Sequence, residues 1–231
     1  MFFYPYDYYY LILVVPALLI SLWAQLKVKS TFNRYEQVYA RQGITAAQAA
    51  RRILDQNGLY GVRIEMTGGK LTDHYDPRTN VIRLSQSVYN SPSVAALGVA
   101  AHEAGHAVQY GVNYLPIKIR NGLVPVTNIC SSLSIPLVII GFIMSARPLV
   151  IAGILLFAAV AVFQIVTLPV EFNASRRAIA VLGESGMLDE GELQGAKRVL
   201  NAAAMTYVAA LLVSLAQLLR LVLLANQRNR D

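Results

Sequence analysis

Charge is what this sequence has least of. Only 14% of its 231 residues are Asp, Glu, Lys or Arg, against the ~25% usual for soluble globular domains. That scarcity excludes an ordinary water-soluble fold. Cysteine is nearly missing: Cys130 stands alone, so no internal disulfide can form, and within an apolar run it reads as a small packing residue. Acidic groups are outnumbered, 13 against 20 basic ones, for a net charge of +7. No basic patch with a nucleic-acid-binding motif accompanies that excess, which speaks against a nucleic-acid partner. Instead the cations flank apolar runs, where they set topology and attract anionic lipid headgroups.

What the chain has is hydrophobic length. Apolar residues make up 55% and mean hydropathy is +0.46. Four runs, 8–26, 123–146, 148–170 and 202–225, reach or exceed the roughly 18 apolar residues that span a bilayer. The second and third are separated only by Arg147-Pro148, which predicts a tight hairpin. No Lys or Arg precedes the first run and no small-residue cleavage site follows it before Lys27, so it is expected to be an uncleaved anchor. Phe2, Phe3, Tyr4, Tyr6, Tyr8, Tyr9 and Tyr10 suit an aromatic belt at its start, and Trp23 marks its other end. Lys27, Lys29, Arg34, Lys118, Arg120, Arg176 and Arg177 then fall on one side, which the positive-inside rule makes cytoplasmic. Arg147, Arg228 and Arg230 dissent, and Arg220 sits awkwardly inside the last run.

These runs divide the chain into an outer tail (1–7), a cytoplasmic α+β part (27–122), a cytoplasmic helical part (171–201), the four spans and a tail (226–231). The fold expected is a mostly α, multi-pass plasma-membrane protein with a small cytoplasmic α+β unit. Its partners are the lipid bilayer and, if it is an enzyme, a protein or peptide substrate. Within 27–122, Thr45-Ala46-Ala47-Gln48 is a capping box opening a helix that Gly58 ends, with Ala49, Ile53 and Leu54 on its apolar face. Val62–Met66, Lys70–Tyr75 and Val81–Leu84 read as strands joined by turns at Gly68-Gly69 and Asp76-Pro77-Arg78-Thr79-Asn80. Asp189-Glu190-Gly191-Glu192 caps a helix that leads into the last span.

Histidine is scarce, with three in the chain, and two of them fall in His-Glu-Ala-Gly-His at 102–106. Histidines four apart on a helix share a face, roughly 5–6 Å apart at Cβ, and can hold one metal ion. The intervening Glu103 can then take a proton from water at that ion, the arrangement of zinc-dependent peptidases. A helix is expected here, with Ser91 as N-cap, Pro92 in the first helical position and Gly111 as the stop. Gly98 and Gly105 weaken it but let a neighbouring element approach closely. The bland alternative is a buried helix with two satisfied core histidines.

A catalytic zinc commonly takes three protein ligands, and the motif supplies two. Two crossings after His106 return the chain to the same side at Glu171, the candidate third ligand. Its competing reading is an acidic residue favoured near a helix N-terminus. His74, among Asp73, Tyr75 and Asp76, is either a substrate or transition-state contact or an exposed turn histidine held by neighbouring carboxylates. Which strand offers an edge to a substrate backbone stays open.

HEAGH, two spans and then Glu171-Phe172-Asn173-Ala174 resemble the membrane zinc metallopeptidases of the HtpX and CAAX-prenyl-protease kind. The stretches 23–33, 69–77 and 169–175 are more similar still to the smaller YugP-type family of bacterial membrane zinc metallopeptidases. The resemblance implies Zn2+ held by His102, His106 and Glu171, with Glu103 as general base. Ser175 stands where the larger group has an aspartate thought to orient a ligand. The function expected is a zinc endopeptidase at the cytoplasmic membrane surface, with membrane-protein quality control as one role. The alternatives are an intramembrane zinc protease and a non-catalytic zinc-binding membrane scaffold.

Overall fold

A computed structural model describes residues 7–227. Phe2, Phe3, Tyr4, Tyr6, Arg228 and Arg230 lie outside the described residues. The chain forms two compact units. One comprises the segments ending at Ala24 and starting at Thr206 together with Ile119–Leu168; the other comprises Gln25–Lys118 and Pro169–Met205. Among the described residues, four helices are long and apolar enough to cross a membrane: Tyr10–Glu36, Leu115–Ile143, Arg147–Glu184 and Glu190–Gln227. The protein is therefore a mostly α membrane protein with a small α+β unit. Every one of these helices outruns its apolar stretch, because hydropathy records the surrounding solvent whereas the backbone hydrogen-bond ladder continues into polar sequence.

A π-wound turn (Tyr10–Val14) leads into α1 (Val15–Glu36). Helices α5 (Leu115–Ile143) and α6 (Arg147–Glu184) form the expected hairpin. Its link lies at residues 144–146, where Ser145 takes φ +54°, rather than at Arg147-Pro148. Pro148 falls instead in the first turn of α6, where its missing N–H costs nothing. The arms nearly touch: a Cβ on Gly141 would lie 2.7 Å from the Val150 nitrogen, and one on Gly153 would lie 2.7 Å from the Ser134 carbonyl oxygen.

Arg220, awkward in the sequence, has a partner. Its Nε donates to Asp7 Oδ2 at 2.7 Å, its Nη2 makes a second contact with the same oxygen, and its guanidinium lies 5.3 Å from the Tyr10 ring centroid. Gln227 Nε2 donates to the Tyr9 hydroxyl at 3.0 Å. The start of the first apolar run and the end of the last therefore meet.

The second unit holds the larger core. Helix α2 (Ala46–Gln56) opens with both halves of the capping box, Thr45 accepting from the Gln48 N–H and the Gln48 side chain accepting from the Thr45 N–H. Its face of Ala49, Ala50, Ile53 and Leu54 is buried against α4 (Val94–Gly111). Between them come β1 (Arg63–Thr67), β2 (His74–Asp76), β3 (Val81–Ser85) and one turn of helix, α3 (Gln86–Tyr89). The strand order is β1-β3-β2, with β1 parallel and β2 antiparallel to β3. Strand β2 is shorter than expected because Gly69 (φ +94°) and Leu71 (φ +56°) take left-handed conformations that break extended pairing.

Helix α4 is capped by Ser93, whose Oγ accepts from the Ala96 N–H, and not by Ser91. The reason is tertiary. The Ser91 and Pro92 carbonyls accept from the Ala46 and Ala40 N–H groups, and Val94 N donates to the Val38 carbonyl. Residues 91–93 are drawn out as a ribbon before the helix can start. Helix α7 (Glu190–Gln227) opens on a reciprocal Asp189–Glu192 cap, and Glu192 also accepts from the Arg41 N–H at 2.8 Å.

Candidate metal centre

Helix α4 places His102 and His106 one turn apart, their ring centroids separated by 4.7 Å and their planes by 83°. Helix α6 brings Glu171 to the same point. The two helices can approach because Gly105 has no side chain: a Cβ there would sit 3.0 Å from the Ala174 carbonyl oxygen and 3.4 Å from its Cα. Glu171 is deep inside α6, which runs unbroken from Arg147. The macrodipole of a helix N-terminus therefore does not explain it.

Glu171 Oε2 lies 3.3 Å from His102 Nε2 and 3.6 Å from His106 Nε2, and the three candidate ligand atoms all fall within 4.8 Å of one another. Its side chain is 3% exposed, and Oε2 finds no hydrogen-bond partner among the described residues. A buried carboxylate oxygen without a donor is costly. With both rings carrying their proton on Nδ1, the two Nε2 atoms turned toward it would bring three lone pairs to one point, which a cation would reconcile. Ligands about 2.0–2.1 Å from a tetrahedral zinc stand about 3.3–3.4 Å from each other, close to the two separations from Glu171. The residues fit the ion. In its absence, burial opposes a charge on His106, but the Glu171 carboxylate, with help from Glu103 and Gln109, outweighs burial and raises its affinity for a proton.

Glu103, 8% exposed, follows His102 on α4. Its Oε2 accepts from the Tyr75 backbone N–H at 2.9 Å. Strand β2 is an edge of the sheet, and this donor on it is turned to Glu103 rather than to β3. The edge beside the motif helix is thus β2. The Tyr75 ring meets Tyr110 of α4 edge-on at 5.6 Å, its hydroxyl donating to Asn80 Oδ1. Together with Leu59, Val62 and Ala107 these rings line an open cleft of about 340 Å³. Asp73, just before β2, accepts from Ser85 N–H and Oγ. Burial pushes its pKa up and the Glu103 charge adds to this, while the Ser85 bonds pull the other way.

Of the other residues singled out in the sequence, Ser175 sits one turn after Glu171, its Oγ 3.2 Å from His102 Nδ1. His74 is exposed on β2, outside the metal-ligand cluster, and its Nδ1 donates to the Thr72 carbonyl at 2.8 Å rather than being held by carboxylates. The sequence reading missed Gln109, fully buried, whose Oε1 lies 3.0 Å from His106 Nδ1. The available signal was its position three residues after His106, on the same helical face.

A His-His-Glu cluster drawn from α4 and α6, with four membrane-length helices among the described residues, is the kind of site that a membrane zinc peptidase carries. Residues 10–226 match the family model described as "Putative neutral zinc metallopeptidase", and the chain belongs to that family. It is 47% identical over 215 residues to the Bacillus subtilis (strain 168) protein named "Putative membrane protease YugP", covering 93% of this chain and 96% of that protein. No solved structure matches.

Proposed function

We propose that this protein is a membrane-embedded zinc endopeptidase of the HExxH type, with His102, His106 and Glu171 as metal ligands and Glu103 as general base. The observation that carries the proposal is the buried Glu171 oxygen, without a hydrogen-bond partner and facing both imidazole Nε2 atoms. A zinc ion held there supplies a Lewis acid for the scissile carbonyl and lowers the pKa of a water toward about 7. The rest belongs to the protein. The Tyr75 N–H holds Glu103 Oε2, which leaves Oε1 to take the proton from the attacking water and pass it to the departing amine. Strand β2 is the edge on which an extended substrate would lie. His74, exposed on that strand, is a candidate substrate contact.

The spans proposed are 8–26, 123–146, 148–170 and 202–225, with 27–122 and 171–201 on the cytoplasmic side. The cations Lys27, Lys29, Arg34, Lys118, Arg120, Arg176 and Arg177 support that orientation. Membrane-protein quality control is the role we propose for it. Helix α4 is not among the four membrane-length helices, which disfavours cleavage within the bilayer. The Glu103→Gln variant should keep its zinc and lose peptide hydrolysis. Zinc content by mass spectrometry, with turnover of a membrane-protein substrate in the same preparation, tests this. Undiminished turnover would falsify the assignment.

A further inference from the structure

His106 makes a contact that peptide hydrolysis as described above does not use. Its Nδ1 lies 3.0 Å from Gln109 Oε1. Gln109 Nε2 lies 2.8 Å from the Val170 carbonyl oxygen and 3.0 Å from Asn173 Oδ1. Asn173 Oδ1 in turn receives Arg177 Nε at 2.8 Å.

The direction of every bond in this chain is fixed by groups with one role only. A backbone carbonyl can only accept, so the Gln109 atom against Val170 must be its NH2. A guanidinium can only donate, so the Asn173 atom against Arg177 must be its oxygen, and that oxygen again demands the Gln109 NH2. Turning the Gln109 amide over would set its oxygen against two acceptors in a fully buried site, leaving them unsatisfied at about 1–3 kcal/mol each. The Gln109 oxygen is therefore the atom that faces His106, and a neutral ring must carry its proton on Nδ1. Its Nε2 lone pair is then turned toward Glu171.

We propose that Gln109 is the positioning residue of His106: its amide, anchored by the Val170 carbonyl and the Asn173–Arg177 pair, holds the ring as the Nδ1–H tautomer, with Nε2 ready for a cation. The inference rests on His106 being a metal ligand. It also separates the two histidines. Ser175 faces His102 Nδ1 with a hydroxyl, which donates or accepts with equal ease and so selects no tautomer. His106 is set before metal arrives, and His102 adapts. Outer partners of this kind are commonly worth ~10–100-fold in metal affinity.

The test uses full-length protein in detergent, stripped of metal and labelled with 15N, at a pH where its imidazoles are neutral. With three histidines in the chain, each ring can be assigned by its own substitution. The nitrogen spectrum should show His106 as Nδ1–H in wild type, and the Gln109→Leu variant should shift it toward Nε2–H, the form that free imidazole side chains favour. The same variant should bind Zn2+ ~10–100-fold more weakly by competition with a chelator. Should Gln109→Leu not fold, Arg177→Met loosens the same anchor from the far end and should produce a smaller shift in the same direction. Wild-type His106 found as Nε2–H, or a tautomer indifferent to both substitutions, overturns the proposal. A His106 ring held as Nδ1–H in a protein that never takes up Zn2+ leaves the positioning intact and sinks the peptidase reading instead.

Discussion

At the residue scale the site is a balance of lone pairs. Because two imidazoles and one carboxylate converge, removing the carboxylate should weaken the hold on a cation more than removing any outer partner. Glu171→Ala is expected to lose more than ~100-fold in Zn2+ affinity, beyond the range typical of outer-shell changes; zinc content after dialysis checks it. A second residue-scale expectation concerns Asp76. Bonds from the Thr79 hydroxyl and the Arg78 N–H, with Arg83 beside it, lower its pKa from 3.8 to about 2. A depressed carboxylate pKa adds stability above the unfolded value and loses it as pH falls through the folded one. The 76–80 turn should therefore loosen between pH 3.8 and about 2. Carboxyl NMR titration of Asp76 reads this directly, and Thr79→Val should move its midpoint upward. His102, Glu103 and His106 were legible in the sequence because their geometry is set by one helical turn. Glu171 was legible as a candidate through counting crossings and through the resemblance of 169–175 to a known family. Gln109 was not, since an amide acquires its role from Val170 and Asn173, more than sixty positions away.

At the element scale the decisive contact is helix on helix. Gly98 and Gly105 were expected to permit a close approach, and both do: Gly98 faces Ala196 and Gly105 faces Ala174. The Gly105 contact is with backbone, which cannot swing aside. Gly105→Ala should cost ~1–3 kcal/mol by overpacking and widen the gap between ligands. A lowered melting temperature together with reduced zinc content would bear this out; a stable variant with full zinc would count against it. The capping box at Thr45 was equally readable, being a local hydrogen-bond pattern. The start of α4 was misplaced by two residues, because what delays the helix is pairing with residues 38–46. No local propensity records that contact.

At the scale of the whole molecule, composition told most. A chain so poor in charge must bury its surface in lipid, and four membrane-length helices follow. The charge that defied this pattern, Arg220, is explained by Asp7, a partner more than two hundred positions away. Removing one partner of this part-buried pair leaves the other charge uncompensated. Asp7→Leu should therefore destabilise the protein in detergent, and Asp7→Leu with Arg220→Leu should recover most of the loss. Thermal unfolding of the two variants distinguishes an ion pair from a packing role.

The backbone contact between Gly105 and Ala174 also bears on the order of events. Where two ligand-bearing helices are locked by main-chain atoms within a core already complete, metal has nothing left to fold. Zinc fingers collapse when their ion is removed. This site should instead behave as a socket. Chelation ought to leave helical circular dichroism unchanged and lower the melting temperature only by the linkage due to binding. Returning Zn2+ should then restore the ion without a refolding step, so that metal supply could switch the protein off and on while its fold persists.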